Sequence, residues 1–427
     1  MKRTFAFAAA AMSVAFAFAG GVENKTNMST GYLRNPSRNA EFQRPEAAFY
    51  NIAGTAFMND GLWIEAGNQF VFKEYKHELT EGQLLPVFSG AQIDTAGSDK
   101  TTVWLYPDFD AVYHKGDFSV FMNFGVYAGG GSLNFDDGSS LISAKFIEAG
   151  MKQGSATALA GAAKNHTLKV DSITYGGEVG GAYKFLDGMV SVGAAFRMVY
   201  GTQSMELTSD DATFKGLNGG GDTVSYDAKA TGFGGVFGVH ARPIDKLDLS
   251  VQYSTINKIK YKVDNVEGNL ASEFKITDGK KFNNDLPATL SFGASYSVID
   301  PLLVSFSCNY YFNKQSSMDS VLGENDYDNS IEFALGADYK INDMIGASLG
   351  FSYSKQGTND ESNSPFAPVL DSFAIGGGVE VTPIENLTLT AAGMWVNYFD
   401  VEGYRDMFKL SKDLVMASIG VTYRLPF

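Results

Sequence analysis

Cysteine is almost absent: Cys308 stands alone in 427 residues, which excludes an internal disulfide framework. It falls on the apolar side of an alternating stretch, so it reads as a buried, inert thiol rather than a nucleophile. Histidine (4) and proline (11) are scarce as well. His77 and His166 fall in or beside long loops, and His114 and His240 fall near the opposite strand ends. Neither His77 beside Glu78 nor His166 has a partner pattern that separates a catalytic base from a solvated loop residue. No P-loop, His-Glu-x-x-His or Gly-x-Ser-x-Gly pattern is present, so no enzyme, cofactor or metal site is expected. Basic charge is also short: 33 − 48 gives −15, which excludes a nucleic-acid partner.

An apolar run of membrane-helix length is missing too. The one apolar run, after Met1-Lys2-Arg3, is short and ends on Ala17-Phe18-Ala19 before Gly20-Gly21. That is the layout of a secretory signal peptide over residues 1–19. Its removal would leave 31 − 48 = −17.

What the chain has instead is Gly (47), Phe (33), Tyr (21) and period-two alternation. The last stretch, Asp413–Phe427, organises the rest. Val415, Ala417, Ile419, Val421, Tyr423, Leu425 and Phe427 form one uncharged face, and the alternate set is small or polar except Met416. A soluble edge strand of that kind would aggregate; as the closing strand of a lipid-covered barrel it has neither edge nor wet apolar face. From Gly61 onward such stretches recur, giving fourteen expected strands. Tight connections such as Lys115-Gly116 and Ile299-Asp300-Pro301 carry turn residues and alternate with long ones, the longest over 131–170. Charges (Glu178, Arg197, His240, Arg242, Glu332, Asp338, Glu380, Arg424) fall on the face opposite the apolar set, with Asn68 a polar exception on the oily side. The expected fold is all-β: an outer-membrane antiparallel barrel over 61–427 with residues 20–60 as an N-terminal plug of short helices. Forty residues are too few to fold alone, and a lumen can host them.

The inward set is partly greasy. Trp104 and Tyr106 (second strand), Phe121 and Tyr127 (third), Met394, Val396 and Tyr398 (thirteenth), and Leu414 and Met416 (fourteenth) are expected to face the outer lumen, on strands adjacent after closure. They form either an apolar ligand pocket or packing for the plug. In the third strand, Gly125 and the run Gly129-Gly130-Gly131 mark a kink, either a lateral gap in the wall or a flexible exit into the long loop. The acidic clusters Asn134–Asp137 and Glu324–Asp328 read as solvated loop charge, with Ca²⁺ binding the alternative.

Tyr50-Asn51-Ile52-Ala53-Gly54-Thr55-Ala56-Phe57, with Ser37-Arg38-Asn39-Ala40 upstream and Phe124-Gly125-Val126-Tyr127-Ala128 in the third strand, resembles the FadL/OmpP1/TodX family. The resemblance extends over the whole chain after the signal. It implies a fourteen-stranded barrel with an N-terminal hatch, passive uptake of long-chain fatty acids or other hydrophobic compounds, and lateral release at a third-strand kink. Asn51, Ile52, Ala53 and Gly54 would then be hatch-motif residues. Ile52 departs from the family's proline, which frees φ and restores a backbone donor. The expected partners are a hydrophobic small molecule and outer-membrane lipid, with the chain a monomer. The alternative is a surface adhesion barrel whose acidic outer loops bind a partner around a purely structural lumen.

Overall fold

The computed structural model describes residues 26–79, 96–143, 146–147, 160–272, 274–319, 327–358, 369–403 and 408–427. The expected signal peptide (1–19) lies outside them.

Fourteen antiparallel strands form the wall: β1 (Gly61–Leu79), β2 (Ala96–Lys115), β3 (Phe118–Phe135), β4 (Thr167–Phe185), β5 (Val190–Thr208), β6 (Thr223–Ile244), β7 (Leu247–Ser254), β8 (Thr289–Ile299), β9 (Leu302–Tyr311), β10 (Ser330–Lys340), β11 (Ile345–Lys355), β12 (Ser372–Ile384), β13 (Leu387–Tyr398) and β14 (Phe408–Leu425). Each pairs with its sequence neighbours, and β14 returns to β1 from Leu62↔Leu425 to Leu79↔Phe408. The barrel is closed. Three short strands attach at the loop end: Lys260–Glu267 on β6, Lys281–Asn283 beside it, and Val401–Gly403 on β14. The wall runs further toward the loops than periodicity suggested, since β1 continues past residue 74 and β14 begins before 412.

Alternation decides the faces. Val192, Phe196 and Met198 on β5, Phe333, Leu335 and Tyr339 on β10, and Val415, Ile419, Val421 and Tyr423 on β14 are all exposed. An apolar belt of this kind is compatible with lipid and not with water. Aromatic residues ring both rims, Tyr113, Tyr183, Tyr296 and Tyr423 at the turn end and Tyr200, Tyr253 and Trp395 at the other, as interfacial girdles do. Cys308 sits half-buried on the outer face between Phe292 and Phe333.

The lumen of the turn-end half is filled by residues 26–60. Helix α1 (Thr30–Arg34) starts at Ser29, whose Oγ accepts from Tyr32 N at 3.0 Å, a side-chain N-cap. Helix α2 (Ala47–Tyr50) and a 3-10 turn (Gly54–Phe57) follow. The plug comes so close to the wall that glycine is required for space rather than for φ. A Cβ on Gly336 would lie 1.8 Å from Asn35 Oδ1, and one on Gly376 would lie 2.3 Å from Leu33 O. Ion pairs complete the seam: the buried Arg34 and Arg38 reach the half-buried Asp338 (2.9 and 3.3 Å), and Arg44 pairs with Glu380 (2.8 Å), both half-buried.

Candidate functional site

Above the plug, β1, β2 and β10–β14 line a pocket that is partly open to solvent and also borders Gly130 of β3. Six of the sequence-derived pocket residues meet here: Tyr106, Met394, Val396, Tyr398, Leu414 and Met416. Val71, Val103 and Ala374 extend the apolar wall, and Tyr32 and Thr26 of the plug form part of the lining. Sequence reasoning placed Glu332 inward without assigning it to the pocket, and missed the polar members Lys73, Tyr75 and Lys412. Lys412 is buried, with Nζ 4.8 Å from the Tyr75 ring centroid and 4.5 Å from that of Tyr398. The signal was present: carrying the odd-residue parity of β1 past Val71, and the even-residue parity of β14 back from Leu414, puts both lysines and Tyr75 inward.

Three of the nine expected residues are elsewhere. Trp104 is on the outer face, 67% exposed, against Phe70 and Phe72. The register between β1 and β2 shifts here, from Gln69↔Tyr106 to Val71↔Val103, and this bulge flips the face of every residue beyond it. Asn68, the polar exception, explains how the bulge is held. Its Nδ2 donates to Trp104 O and its Oδ1 accepts from Tyr106 N, both at 3.0 Å, opposite Pro107, which has no donor of its own. Phe121 is inward but packs with Ile52, Ala56 and Val112 in the core between plug and wall. Tyr127 lines a neighbouring pocket with Phe49, Tyr50 and Arg197, its hydroxyl donating to Asn123 Oδ1 at 2.7 Å.

The third strand is bent where the glycines fall. Against β4, Tyr127 and Gly130 are extra residues, and Gly129 and Gly131 have φ of +85° and +80°. Only glycine adopts that region freely. Gly125 keeps its ladder position opposite Gly176; a Cβ there would come within 2.7 Å of Met28 Cε. Pairing of β2 with β3 runs from Lys115↔Phe118 to Phe109↔Phe124 and ends there. Beyond that point side chains bridge the two strands: Tyr106 Oη to Val126 O (3.3 Å), and Asp99 Oδ1 from Asn134 N (2.8 Å). Lys73 Nζ reaches Gly130 O (3.0 Å) and Ser132 O (2.6 Å) from β1. The β2–β3 seam is thus an interruption of the main-chain ladder beside the larger cavity.

The Asn51–Gly54 segment makes specific contacts to the wall. Asn51 Nδ2 donates to Glu41 O (2.9 Å) and lies 2.8 Å from His240 Nδ1, and Ala53 O accepts from Ser191 Oγ (2.7 Å). Gly54 N donates to Asn51 O at 2.8 Å, which folds the segment back on itself. The donor that Ile52 retains in place of proline is used: its N–H reaches Gln252 Oε1 at 3.0 Å, while Gln252 Nε2 donates to Phe49 O at 2.8 Å. Gln252→Leu should orphan both backbone groups, at about 1–3 kcal/mol each. Amide exchange at Ile52 should accelerate accordingly; unchanged exchange would show that the clamp contributes nothing.

The loop histidines are buried rather than solvated. His166 takes Ser139 N on Nε2 at 2.9 Å, with Nδ1 3.0 Å from Ala162 O, and burial lowers its pKa from the ordinary value. Of the acidic loop clusters, Asp136, Asp137 and Asp328 are exposed, Asp328 pairing with Lys314; residues 324–326 lie outside the described ones. Among the described residues, the carboxylates that do gather are Glu65, Asp108 and Asp110, inside the barrel.

Residues 113–402 match the family model described as outer membrane protein transport protein (OMPP1/FadL/TodX). No curated protein matches the chain. Among solved structures, a Pseudomonas aeruginosa FadL homologue aligns with a TM-score of 0.68 at 17% identity, spanning 95% of this chain and 99% of that one. The Pseudomonas putida toluene transporter TodX gives 0.66 at 14% identity over 94% and 99%. The Ralstonia pickettii toluene transporter TbuX gives 0.57 at 15% over 92% and 98%. With more than half of its residues inside the matched model, the chain belongs to the OMPP1/FadL/TodX family of outer membrane transport proteins, as a multi-pass barrel of the bacterial outer membrane.

Proposed function

We propose that the protein is a passive channel for amphipathic hydrophobic molecules carrying an anionic end, long-chain fatty acids being the fitting class, and that it works as a monomer. The loop-end cavity carries this reading. Its apolar side (Val71, Val103, Met394, Val396, Leu414, Met416) suits an alkyl chain, and the ammonium groups of Lys73 and Lys412 suit a carboxylate. A capture step under the outer loops, residence in the cavity, movement of the Asn51–Gly54 hatch and exit toward the bilayer through the β2–β3 seam make a route that needs no energy input. Residues 20–60 would act as the hatch. The adhesion alternative gives the cavity no role.

Each methylene buried contributes about 0.8 kcal/mol, so affinity should rise about fourfold per added CH₂ until the cavity is full. Met394→Asp should weaken oleate binding by tenfold or more (about 1.4 kcal/mol or above) while the barrel stays folded. Lys412→Met should weaken oleate but leave toluene unchanged. Native mass spectrometry and fluorescent-probe displacement on the detergent-purified protein read both. Equal affinity of wild type and Met394→Asp would remove the cavity as the binding site, and equal loss of toluene and oleate on Lys412→Met would remove the anionic end.

A further inference from the structure

Helix α1 meets β1 and β2 at a cluster of acids that the transport route does not use. Glu65 and Asp110 are directly opposed in the β1–β2 ladder, and Asp108 pairs with Gly67 two residues along, on the same inward face. All three are buried, and one carboxylate oxygen of each lies within 4.8 Å of the other two. Like charges set opposite each other across a ladder oppose its formation, and burying them without compensation opposes it further. Local compensation falls short. Glu65 Oε2 accepts from Thr422 Oγ1 at 2.8 Å. Arg44 is the cation near Glu65, but it is already committed to Glu380. Glu46 of the plug adds the repulsion of a fourth acid.

A second observation comes from the plug side. Thr30 is 2% exposed, and its hydroxyl has no hydrogen-bond partner among the described residues; neither Asp108 oxygen has one in ordinary geometry. Both groups press on the same spot: a Cβ on Gly67 would lie 2.8 Å from Thr30 Oγ1 and 2.6 Å from Asp108 Oδ2. An unpartnered hydroxyl of the plug therefore sits over Gly67 beside the Asp108 carboxylate, at the edge of the acid cluster.

We propose that Glu65, Asp108, Asp110 and Thr30 Oγ1 form a site for one divalent cation, calcium by ligand type and size, that fastens helix α1 to β1 and β2. The donor set is all oxygen, as hard cations require, and three carboxylates with one hydroxyl supply up to seven donors for an ion that takes about 6–8. Three oxygens up to 4.8 Å apart share a centre no more than about 2.8 Å from each, against a Ca–O distance of roughly 2.4 Å, so one ion reaches all three acids once the side chains draw in by a few tenths of an ångström. Its charge leaves a single net negative charge on the three, beside Arg44. The ion would lock the plug at its α1 end, opposite the Gln252 clamp on Ile52.

The test uses the full-length protein in detergent, stripped with EDTA and dialysed against about 1 mM calcium, in the range of extracellular sites. Elemental analysis should find one calcium per chain. Asp108→Asn, which keeps the shape, should weaken binding about tenfold or more, and Thr30→Val less, because charge count sets affinity in such sites. EDTA should lower the melting temperature and raise leak current through planar bilayers in wild type, and should do neither in Asp108→Asn. If wild type holds no divalent ion and melts identically with and without EDTA, the site does not exist. Calcium that stays bound in Asp108→Asn would belong to the acidic loops and overturn the assignment equally. Magnesium bound in calcium's place, with the same residue dependence, would overturn the choice of ion. None of these readouts involves a transported molecule, so the channel reading stands or falls separately.

Discussion

Asp338→Leu should release the plug. The carboxylate accepts from Arg34 Nη1 (2.9 Å), Arg38 Nη2 (3.3 Å) and Asn35 Nδ2 (2.8 Å), and both arginines are almost fully buried. Removing one member of a buried pair costs about 3–5 kcal/mol, chiefly because the surviving charge stays desolvated. Here the lower end applies, since Arg34 keeps Glu380 at 3.3 Å and Arg38 keeps Glu41 at 2.7 Å. Even 3 kcal/mol multiplies the population of undocked plug by roughly a hundredfold. Because the plug touches the wall through side chains and not through the ladder, the loss should appear as raised single-channel leak and protease access near Arg38, with the barrel still heat-modifiable on gels. Adding Arg34→Met to Asp338→Leu should recover part of the loss, since a buried pair replaced by apolar groups is often neutral. Leak and protease resistance identical to wild type would mean that the ion pairs do not hold the plug.

The wall was legible in the sequence because a barrel strand needs only alternation. Every expected tight connection, from Lys115-Gly116 to the turn before Asn386, joins two observed strands. The site was less legible, for reasons of parity. A period-two reading assigns Trp104 and Tyr106 to one face, and a single bulge between them separates the two. The clue was written across two strands: a polar Asn68 where lipid was expected, and Pro107 opposite it, unable to donate. Neither residue signals a bulge alone; only the register makes them partners. Phe121 was correctly placed inward, but periodicity cannot say whether an inward side chain meets a ligand or the plug. Lys73 and Lys412 were overlooked because strand ends fade in a propensity reading, while in the folded wall the ladder simply continues toward the loops. The acids Glu65, Asp108 and Asp110 are far apart in sequence and become a cluster only through strand pairing.

Deleting Gly130 should close the proposed lateral route while leaving the cavity able to bind. Gly129 pairs with Ile173 and Gly131 with Ser172, so Gly130 is the extra residue of its bulge. Its removal leaves Ala128, Gly131, Leu133 and Phe135 in strict alternation on the inward face, and no other side chain changes sides. What is lost is the bend that a bulge imposes on its strand. A straighter β3 brings its loop-end half back beside β2, where main-chain groups beyond Phe109↔Phe124 have no ladder partner on that side. Each new ladder bond contributes about 0.5–1.5 kcal/mol, enough for a few to hold the seam shut. A barrier raised by only about 1.4 kcal/mol slows passage tenfold, so oleate uptake by cells carrying the deletion should fall by at least that factor. Affinity of the purified protein should stay within about threefold, a shift under 0.7 kcal/mol: Gly130 borders the pocket without a side chain, Lys73 keeps its bond to Ser132 O, and Met394, Val396, Leu414 and Met416 lie on strands the deletion does not touch. Uptake undiminished in a correctly folded variant would route the molecule past the plug into the periplasm. Uptake and affinity falling together would instead make the bulge part of the binding wall, where Lys73 holds Gly130 O.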